Sequence, residues 1–261
     1  MQVPVLAAEA PFRAAISELP LSAATAREPG GAVVVASTVD AAVAAVESGA
    51  VGLVIDSEGL DDLVVLDAFV DSTSGGSGAP SVPVAVVRPG VRPDHVDLVR
   101  GLEQGVRARP VLVEAAAEAS EMSRVAADAL GWARVLAGGE LRPRSAACTP
   151  AAVLAQFDGP QGEAVSLVLT ASSGRARGSS LRAEALGDPI VRVVSEGRGM
   201  AVSISVHDAD GTRCLPPRWE SRERLAVRRV ITAITRRESL PDLGLLRSDL
   251  AARAAIRLPV R

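Results

Sequence analysis

The sequence predicts two fold classes in succession: an α/β domain with a parallel sheet, then an α+β domain with an open antiparallel sheet and flanking helices. Up to about residue 140, short apolar runs alternate with segments of helical periodicity, which is typical of βαβ units. After Gly162, strand patterns follow one another with turn signals between them, which is typical of an antiparallel meander. The length of 261 residues accommodates two domains. We expect them at residues 1–115 and 116–261.

Apolar runs in the first domain predict its strands. They are Val3–Ala7, Ala32–Ala36, Val51–Ile55, Val82–Val87 and Pro110–Val113. Most of these runs are continuous rather than alternating, as expected for strands that are covered on both faces. Segments with helical spacing connect them at Thr38–Ser48, Leu60–Val70 and Asp94–Val106. Right-handed crossovers would give a Rossmann-like layout, with the Gly- and Ser-rich stretch Asp71–Pro80 as an exposed loop.

The second domain is predicted to begin with helices and to continue with strands. Apolar residues at three- and four-residue steps predict one long helix over Glu114–Gly138. Thr149 as N-cap, followed by Pro150, predicts a second helix over Thr149–Phe157. The expected strands are Ala164–Ala171, Leu181–Leu186, Ile190–Val194 and Ala201–His207, and the closing helices are Glu220–Arg237 and Leu243–Ile256.

Composition excludes several classes of function. There are 28 basic and 31 acidic residues, so the net charge of −3 gives no reason to expect binding of nucleic acid. The sequence contains no lysine, which excludes Schiff-base, P-loop and general-base chemistry by that residue. No uncharged apolar run approaches the roughly 20 residues of a membrane span. The first residues lack the basic region of a signal peptide.

Cysteine and histidine give little indication of a reactive centre. Cys148 and Cys214 are too few for a disulfide framework or a structural zinc site, so we expect two reduced, buried thiols and a cytoplasmic location. His95 is expected to be a solvated residue of a first helical turn, with general acid–base catalysis as the alternative. His207 precedes Asp208–Gly211, which predicts a hairpin turn rather than a calcium loop. The two histidines share no metal-ligand spacing, so we expect no catalytic metal.

Arginine clusters occur on the first closing helix and in one loop. Within Glu220–Arg237 the arginines are interleaved with glutamates, which predicts a solvated, salt-paired helix face; binding of an anion or a partner is the alternative. Arg175 and Arg177 predict a small basic surface loop.

The turn after the first strand is where a parallel sheet would bind a dinucleotide. A G-x-G-x-x-G motif belongs there, because only glycine lets the backbone approach the pyrophosphate at the helix N-terminus. Ala7, Ala8 and Glu9 occupy this turn instead, and the Glu9 carboxylate would face the phosphates. We therefore expect these degenerate cofactor-binding positions to hold no cofactor. Binding of NAD(P) through an unconventional loop is the alternative.

The order of elements resembles the Gfo/Idh/MocA oxidoreductase family, and the resemblance covers most of the chain. ADALGWARVLAGGELRPRSAA resembles the family's entry into its second domain, and LRAEALGDPIVRV resembles a segment of its open sheet. RWESRERLAVRRVITAITRRESLPDLGLLRSDLAARAAI is similar to its closing helices, and VPVAVVRPGVRP to the strand that normally ends in Glu-Lys-Pro. The resemblance implies a nicotinamide cofactor and a sugar-like substrate between the domains.

The resemblance also carries the family's catalytic positions onto this sequence. Glu-Lys-Pro falls on Val87, Arg88 and Pro89, so an arginine that stays protonated replaces the lysine. The family's Asp and His, four residues apart on a helix, fall near Arg124 and Asp128, so an aspartate replaces the histidine. The candidate catalytic residues are therefore Arg88, Arg124 and Asp128. The spacing of the last two also suits a structural ion pair.

Loss of the glycine motif and of the proton-transferring side chains predicts a non-catalytic protein of this type that acts by binding. We expect a homo-oligomer or hetero-oligomer formed through the open C-terminal sheet, with no nucleic-acid or membrane partner. The alternative is an NAD(P)-dependent oxidoreductase acting on a sugar-like substrate, with Asp128 as its base. A further alternative is a sensor that binds a small anionic ligand near Arg88 and Arg124.

Overall fold

A computed structural model describes residues 2–60, 62–74, 82–103, 108–172, 178–197, 201–256 and 258. The chain forms two compact units. Unit 1 comprises residues 1–88 and 219–247, and unit 2 comprises residues 89–218 and 248–261. Both units are discontinuous in sequence, whereas the domains expected at 1–115 and 116–261 are continuous.

Both units combine helices with one sheet. The strands are β1 (Val3–Leu6), β2 (Ala23–Thr25), β3 (Val33–Ala36), β4 (Gly52–Asp56), β5 (Val84–Val87), β6 (Val111–Ala117), β7 (Arg142–Cys148), β8 (Ala152–Asp158), β9 (Ala164–Ala171), β10 (Ser180–Ala185), β11 (Ile190–Glu196), β12 (Ala201–Asp208) and β13 (Gly211–Cys214). The helices are α1 (Ala10–Ser17), α2 (Val39–Glu47), α3 (Leu63–Ser74), α4 (Pro93–Glu103), α5 (Met122–Leu136), α6 (Arg222–Arg236) and α7 (Asp242–Ala254).

Unit 1 contains a five-stranded parallel sheet with the order β2-β1-β3-β4-β5. Strands β3, β4 and β5 are apolar and almost fully buried, as in sheets covered by helices on both faces. The chain passes from β1 to β2 on one side and then to β3 on the other side of β1. Such a reversal of strand order opens a crevice at the carboxyl ends of the strands, where ligands bind in open parallel sheets. The parallel half of the predicted fold class is confirmed.

Helix α6 packs on this sheet with the apolar stripe that the sequence predicts. Val227, Val230 and Ile231 are buried in one cluster with residues of the strands. Gly52 permits the close approach, because a Cβ at this position would lie 2.5 Å from Val230 Cγ1. The exposed side of α6 carries the predicted arginine–glutamate pairs, such as Arg228 to Glu220 at 2.6 Å.

Asp242, the first residue of α7, closes the edge of this sheet at β5. Its Oδ2 accepts a hydrogen bond from the Val86 N–H at 3.0 Å. Both carboxylate oxygens also accept hydrogen bonds from the Arg229 guanidinium at 2.7 Å. The side chain therefore satisfies a backbone donor on an edge strand, and such cover opposes pairing with other chains.

Unit 2 contains an eight-stranded sheet with the order β13-β12-β11-β10-β6-β9-β8-β7. All neighbouring strands are antiparallel except β6 and β9, which are parallel. The face of the sheet that carries Val113, Leu167 and Ala183 belongs to one core cluster with α5 and its fully buried Trp132. The mostly antiparallel second half of the predicted fold class is confirmed.

Helices α5 and α7 are joined by a buried ion pair in unit 2. Arg134 Nε donates to Asp249 Oδ1 at 2.6 Å, and Arg134 Nη2 donates to Asp249 Oδ2 at 3.1 Å. The two side chains are 6% and 1% exposed. The pair therefore holds two opposite charges in a region of low polarity, where each depends on the other.

Two predicted helices are wrong. Residues 111–117 form β6 of the second sheet, and α5 begins only at Met122, so Glu114–Gly138 is not one helix and Pro110–Val113 does not join the parallel sheet. The alanines of this stretch favour a helix locally, but pairing with β9 and β10 overrides that preference. The helix expected over Thr149–Phe157 is strand β8, and Thr149 Oγ1 accepts the Ala152 N–H at 3.0 Å in the turn before it.

Two predicted loops lie mostly outside the residues that the structure describes. Most of Asp71–Pro80 lies outside the described residues, as do Arg175 and Arg177. Within the described ranges, every helix is too short or too polar to cross a lipid bilayer.

Candidate functional site

The reversal of strand order at β1 places a short turn, residues 7–9, before helix α1. Ala7 and Ala8 carry only methyl groups there. Glu9 is the N-cap residue, with φ −78° and ψ 137°, and its side chain makes no capping hydrogen bond. The Glu9 side chain is exposed. The first amides of α1 are therefore not occupied by this carboxylate, although its charge lies next to them.

The chemistry of this turn fits a phosphate group. Backbone N–H groups and the positive end of the helix dipole meet at the start of α1. Arg13 adds a cation, since its guanidinium donates a hydrogen bond to the Ala8 carbonyl oxygen. Pro11 removes one backbone donor, and Glu9 adds a like charge. The turn is therefore a weaker phosphate site than a glycine-rich loop, but its donors remain.

Arg88 follows the last strand of the same sheet. It comes directly after β5 and is 7% exposed. A guanidinium keeps its proton throughout the physiological pH range. Arg88 can therefore orient an anionic or hydroxylic group, but it cannot exchange a proton with it.

Asp128 and Arg124 lie side by side in the first half of α5, in unit 2. Arg124 Nη1 and Asp128 Oδ2 are 3.6 Å apart, as the four-residue spacing predicts. Asp128 is 3% exposed. Arg124 Nη2 also donates to Glu121 Oε2 at 2.6 Å. The arrangement is thus a buried carboxylate beside a guanidinium that a surface glutamate shares.

Gly90 leaves room for the Asp128 carboxylate. A Cβ on Gly90 would lie 2.4 Å from Asp128 Oδ2 and 2.9 Å from its Cγ. The Gly90 carbonyl oxygen accepts a hydrogen bond from Trp132 Nε1 at 2.7 Å. Since Trp132 and Asp128 are one turn apart on α5, the two contacts fix Gly90 against this helix.

His95 is buried, so the expectation of a solvated histidine is wrong. It is 6% exposed, and among the described residues its Nδ1 has no hydrogen-bond partner. The neighbouring Val96 and Val99 belong to the core cluster of unit 2. Their burial places the first turns of α4 against the core, and His95 is buried with them. Sequence spacing could not show this, because the solvent cover comes from other elements.

The pKa of His95 depends on its burial and on three charged neighbours, Asp94, Arg92 and Arg218. Burial lowers the pKa of His95 below its ordinary value of 6.5; the Asp94 charge opposes this effect, and the Arg92 and Arg218 charges add to it. Burial raises the pKa of Asp94, but the hydrogen bonds and charge of Arg92, with smaller contributions from His95, together outweigh burial, so this pKa lies below 3.8. At pH 7 we therefore expect a neutral imidazole next to an ionised carboxylate.

The free energy of unfolding is expected to fall as the pH drops below 6.5. In the unfolded chain His95 binds a proton at a higher pH than in the folded chain, so protons favour unfolding in this window. The slope from one group cannot exceed about 1.4 kcal/mol per pH unit. Urea unfolding at a series of pH values measures it.

Replacing His95 by glutamine should flatten this part of the pH profile. If stability declines only below pH 4.5, the carboxylates are responsible instead. Glu184 is one of them: burial raises its pKa, but hydrogen bonds from Arg182 and Arg192 bring it below 4.5.

His207 lies near the end of β12 and is fully hydrogen-bonded. Its Nε2 is 2.9 Å from Ser205 Oγ, and its Nδ1 is 2.8 Å from Thr212 Oγ1. The turn after it is the predicted hairpin, in which Asp208 Oδ1 accepts the Asp210 N–H at 3.0 Å. Within the part of the chain that is described, no three His, Cys, Asp or Glu side chains could hold a metal ion together.

Both cysteines are exposed, so the expectation of buried thiols is wrong. Cys148 ends β7 and Cys214 ends β13. These strands form the two outer edges of the second sheet, where the core does not cover them.

The structure brings together only part of the predicted site. Arg124 and Asp128 are adjacent within unit 2, whereas Arg88 and the turn at residues 7–9 belong to unit 1. Sequence reasoning missed Gly90 and Trp132 as neighbours of Asp128. A signal existed for Trp132, since residues four apart on a helix share a face. Nothing local indicated the contact with Gly90.

No family model and no curated protein matches the sequence. Solved structures do match. UDP-N-acetylglucosamine 3-dehydrogenase GnnA from Acidithiobacillus ferrooxidans is 14% identical with a TM-score of 0.69, over 100% of this chain and 97% of that chain. KijD10, a 3-ketoreductase from Actinomadura kijaniata in complex with TDP-benzene and NADP, is 13% identical with a TM-score of 0.64, over 98% of each chain. Levoglucosan dehydrogenase in complex with NADH is 15% identical with a TM-score of 0.64, over 97% of this chain and 86% of that chain.

These matches confirm the resemblance to Gfo/Idh/MocA oxidoreductases at the level of the fold. They also contradict two expectations. The similar structures are dehydrogenases and ketoreductases, two of them in complex with NADP or NADH, so a non-catalytic protein without a cofactor is the wrong expectation. The expectation that no cofactor binds depends on the Glu9 carboxylate facing the phosphates. This carboxylate is exposed and does not cap α1, so it does not fill the position that a phosphate would take.

Proposed function

We propose that the protein is an NAD(P)-dependent oxidoreductase that interconverts a hydroxyl and a carbonyl group on a sugar-like substrate. The observation that carries the proposal is the agreement of fold over nearly the whole length of both chains, 100% and 97% for the UDP-N-acetylglucosamine 3-dehydrogenase. A second similar protein is named for levoglucosan, and a third is a 3-ketoreductase. These names support a carbohydrate as the substrate class.

Unit 1 would hold the cofactor at the carboxyl ends of β1 and β3. The first amides of α1 and the Arg13 guanidinium would face the diphosphate. Ala7 and Ala8 would border it with small side chains. When bound, the nicotinamide supplies the hydride acceptor for alcohol oxidation or the hydride donor for carbonyl reduction.

The chain must also provide a group that takes the proton leaving the substrate hydroxyl. Asp128 is the candidate, because a carboxylate can accept a proton at Oδ2, whereas Arg88 cannot. In the reverse direction the protonated Asp128 would return the proton to the carbonyl oxygen. Arg124, the neighbour of Asp128 in unit 2, would act by its fixed positive charge, which stabilises a developing negative charge on oxygen.

Calorimetric titration with NADH and NADPH tests the cofactor, and pooled nucleotide-linked and free sugars test turnover with either cofactor. We expect a dissociation constant below about 100 µM for at least one cofactor, equivalent to roughly −5.5 kcal/mol. We also expect at least one sugar pool to be oxidised. If neither reduced cofactor binds at millimolar concentration, the proposal is wrong.

Replacing Glu9 by glutamine is expected to tighten binding of both NADH and NADPH by roughly two- to fivefold, because a like charge next to the diphosphate is removed. Glu47, an exposed residue in the last turn of α2, provides the matched control when it is replaced by glutamine. Calorimetry measures both variants. Weaker binding by the Glu9 variant would mean that this carboxylate contacts the cofactor favourably, contrary to the expectation.

We also propose that the open face of the second sheet binds a second copy of the chain. One row across this face contains Leu154, Val168, Glu114, Arg182 and Val194, which lie opposite one another in register. The row therefore places one pair of opposite charges between apolar side chains. A two-fold axis would let such a surface complement itself.

The exposed Leu154 offers a direct test of this interface. It is 56% exposed, and its cross-strand neighbour Val168 lines a concavity of 480 Å³ together with apolar and charged residues, among them Val194 and Arg182. An exposed leucine beside such a concavity favours a protein contact. Replacing Leu154 by aspartate should convert a dimer into a monomer in sedimentation equilibrium. The same change at Val64, which is 76% exposed in unit 1, should not. A wild-type chain that is monomeric at tens of micromolar would contradict the interface.

A cytoplasmic location is also proposed. The proposal is supported by the two exposed cysteines, which form no disulfide, because thiols are kept reduced in the cytoplasm.

A further inference from the structure

We propose that Arg27 binds the 2′-phosphate of the cofactor and makes unit 1 selective for NADP(H) over NAD(H). This inference deepens the proposed function, because it assumes that unit 1 holds a nicotinamide dinucleotide. It follows from the register between β1 and β2, from the order of these strands in the sheet, and from the charges at their carboxyl ends.

The strand register brings Arg27 next to the phosphate-binding turn. Val3 and Val5 of β1 lie opposite Ala23 and Thr25 of β2 in a parallel ladder. The pairing continues one step further, since the Ala26 N–H donates to the Val5 carbonyl oxygen at 2.9 Å. Arg27 is the next residue after this bond, where the chain bends away from β2, and Ala7 begins the turn just past the end of β1. Both residues therefore follow the carboxyl ends of two paired strands.

The position of β2 in the sheet determines what Arg27 would meet. In sheets that reverse strand order in this way, the diphosphate lies at the first turn and the adenosine ribose lies towards the end of the second strand. A carboxylate there accepts the 2′-hydroxyl of NAD, whereas an arginine accommodates the 2′-phosphate of NADP. Arg27 is the first charged residue after β2, and it is exposed.

The charges around the turn favour the more anionic cofactor only if Arg27 takes part. Glu9 and Glu28 are exposed carboxylates of this region, and Arg13 is the cation at the diphosphate position. Without Arg27, a further phosphate would meet two carboxylates. With Arg27, it meets a guanidinium that can bind it through two parallel hydrogen bonds.

The first experiment uses two fragments that differ only in the phosphate of interest. Calorimetry compares adenosine 2′,5′-bisphosphate with adenosine 5′-monophosphate on the full chain, and then NADPH with NADH. We expect the 2′-phosphorylated member of each pair to bind about 10- to 100-fold more tightly, as charged hydrogen bonds of this kind provide. No turnover is needed for this measurement.

Replacing Arg27 by alanine should abolish the preference within each pair and leave binding of NADH unchanged. Replacing Arg27 by lysine should keep part of the preference, because the charge remains. The matched control is Arg236→Ala, which removes an exposed arginine from α6 in the same unit.

The outcomes separate this inference from the proposed function. Equal and tight binding of NADH and NADPH would overturn the role of Arg27 and leave the oxidoreductase proposal intact. A preference for NADPH that survives Arg27→Ala would also overturn it. A preference for NADH that disappears in Glu28→Gln would overturn it as well, because Glu28 would then set the selectivity. Failure of both cofactors to bind would overturn both proposals.

Discussion

Replacing Asp249 by alanine is expected to lower the free energy of unfolding of unit 2 by about 3–5 kcal/mol. Asp249 accepts two hydrogen bonds from Arg134, at 2.6 and 3.1 Å. The variant leaves a guanidinium, 6% exposed, without this counter-charge. Loss of one partner of a buried pair costs more than the intact pair contributes, because the remaining charge has also lost its hydration.

Urea unfolding followed by tryptophan fluorescence measures this change. Trp132 is fully buried in unit 2, whereas Trp219 is 90% exposed, so the spectral shift reports mainly on Trp132. The matched control is Asp158→Ala, since Asp158 and Arg144 form an exposed pair at 3.5 Å in the same unit. Its expected cost is below about 1 kcal/mol.

A double variant separates the lost charge from the lost packing. Arg134→Met combined with Asp249→Leu removes both charges and keeps apolar volume, so we expect it to recover most of the stability that Asp249→Ala loses. Equal, small losses for Asp249→Ala and Asp158→Ala would contradict the assignment of a strong burial effect to this pair.

Replacing Asp128 by asparagine is expected to lower kcat by about 10²- to 10⁴-fold, the usual contribution of a positioned general base. Asparagine keeps the shape of the side chain but cannot take a proton. Steady-state turnover with the active sugar pool measures kcat. The dissociation constant of NADPH should stay unchanged, because cofactor binding is assigned to unit 1.

Two further variants make the test of Asp128 specific. Glu121→Gln removes the other carboxylate that pairs with Arg124, and it should leave kcat unchanged because Glu121 lies on the surface. Gly90→Ala should lower kcat nearly as much as Asp128→Asn, since the added Cβ would lie 2.4 Å from Asp128 Oδ2 and displace the carboxylate. An Asp128→Asn enzyme with full kcat would exclude this residue as the base.

The parallel sheet could be predicted because three of its five strands are continuous apolar runs. β3, β4 and β5 contain mainly valine, leucine and isoleucine, which favour strands and are buried here on both faces. β2 was not predicted, because Ala-Ala-Thr carries no comparable signal. Its place in the sheet depends on pairing with β1, which local sequence does not encode.

The second sheet shows where local preference misleads. The alanines around Glu114 favour a helix in isolation, yet strand β6 is paired on both sides in the middle of a sheet. Thr149 and Pro150 are typical of a helix start, but Thr149 instead bonds Ala152 across the turn into β8. In both cases pairing with neighbouring strands of the sheet outweighs a helix preference of less than about 1 kcal/mol per residue.

The candidate site was predictable only where residues are close in sequence. Helical spacing gives the Arg124–Asp128 pair, because four residues make about one turn. The burial of His95 and the contact between Gly90 and Asp128 both depend on packing between elements. No periodicity within one segment could have indicated them.

Helix α7 carries two anchoring carboxylates, Asp242 at the edge of the first sheet and Asp249 at the buried arginine of α5, separated by roughly two helical turns. A chain that ended before Asp242 would leave the Val86 N–H of β5 without this acceptor. It would also leave the buried Arg134 of unit 2 without the Asp249 carboxylate. Removal of α7 should therefore destabilise both units.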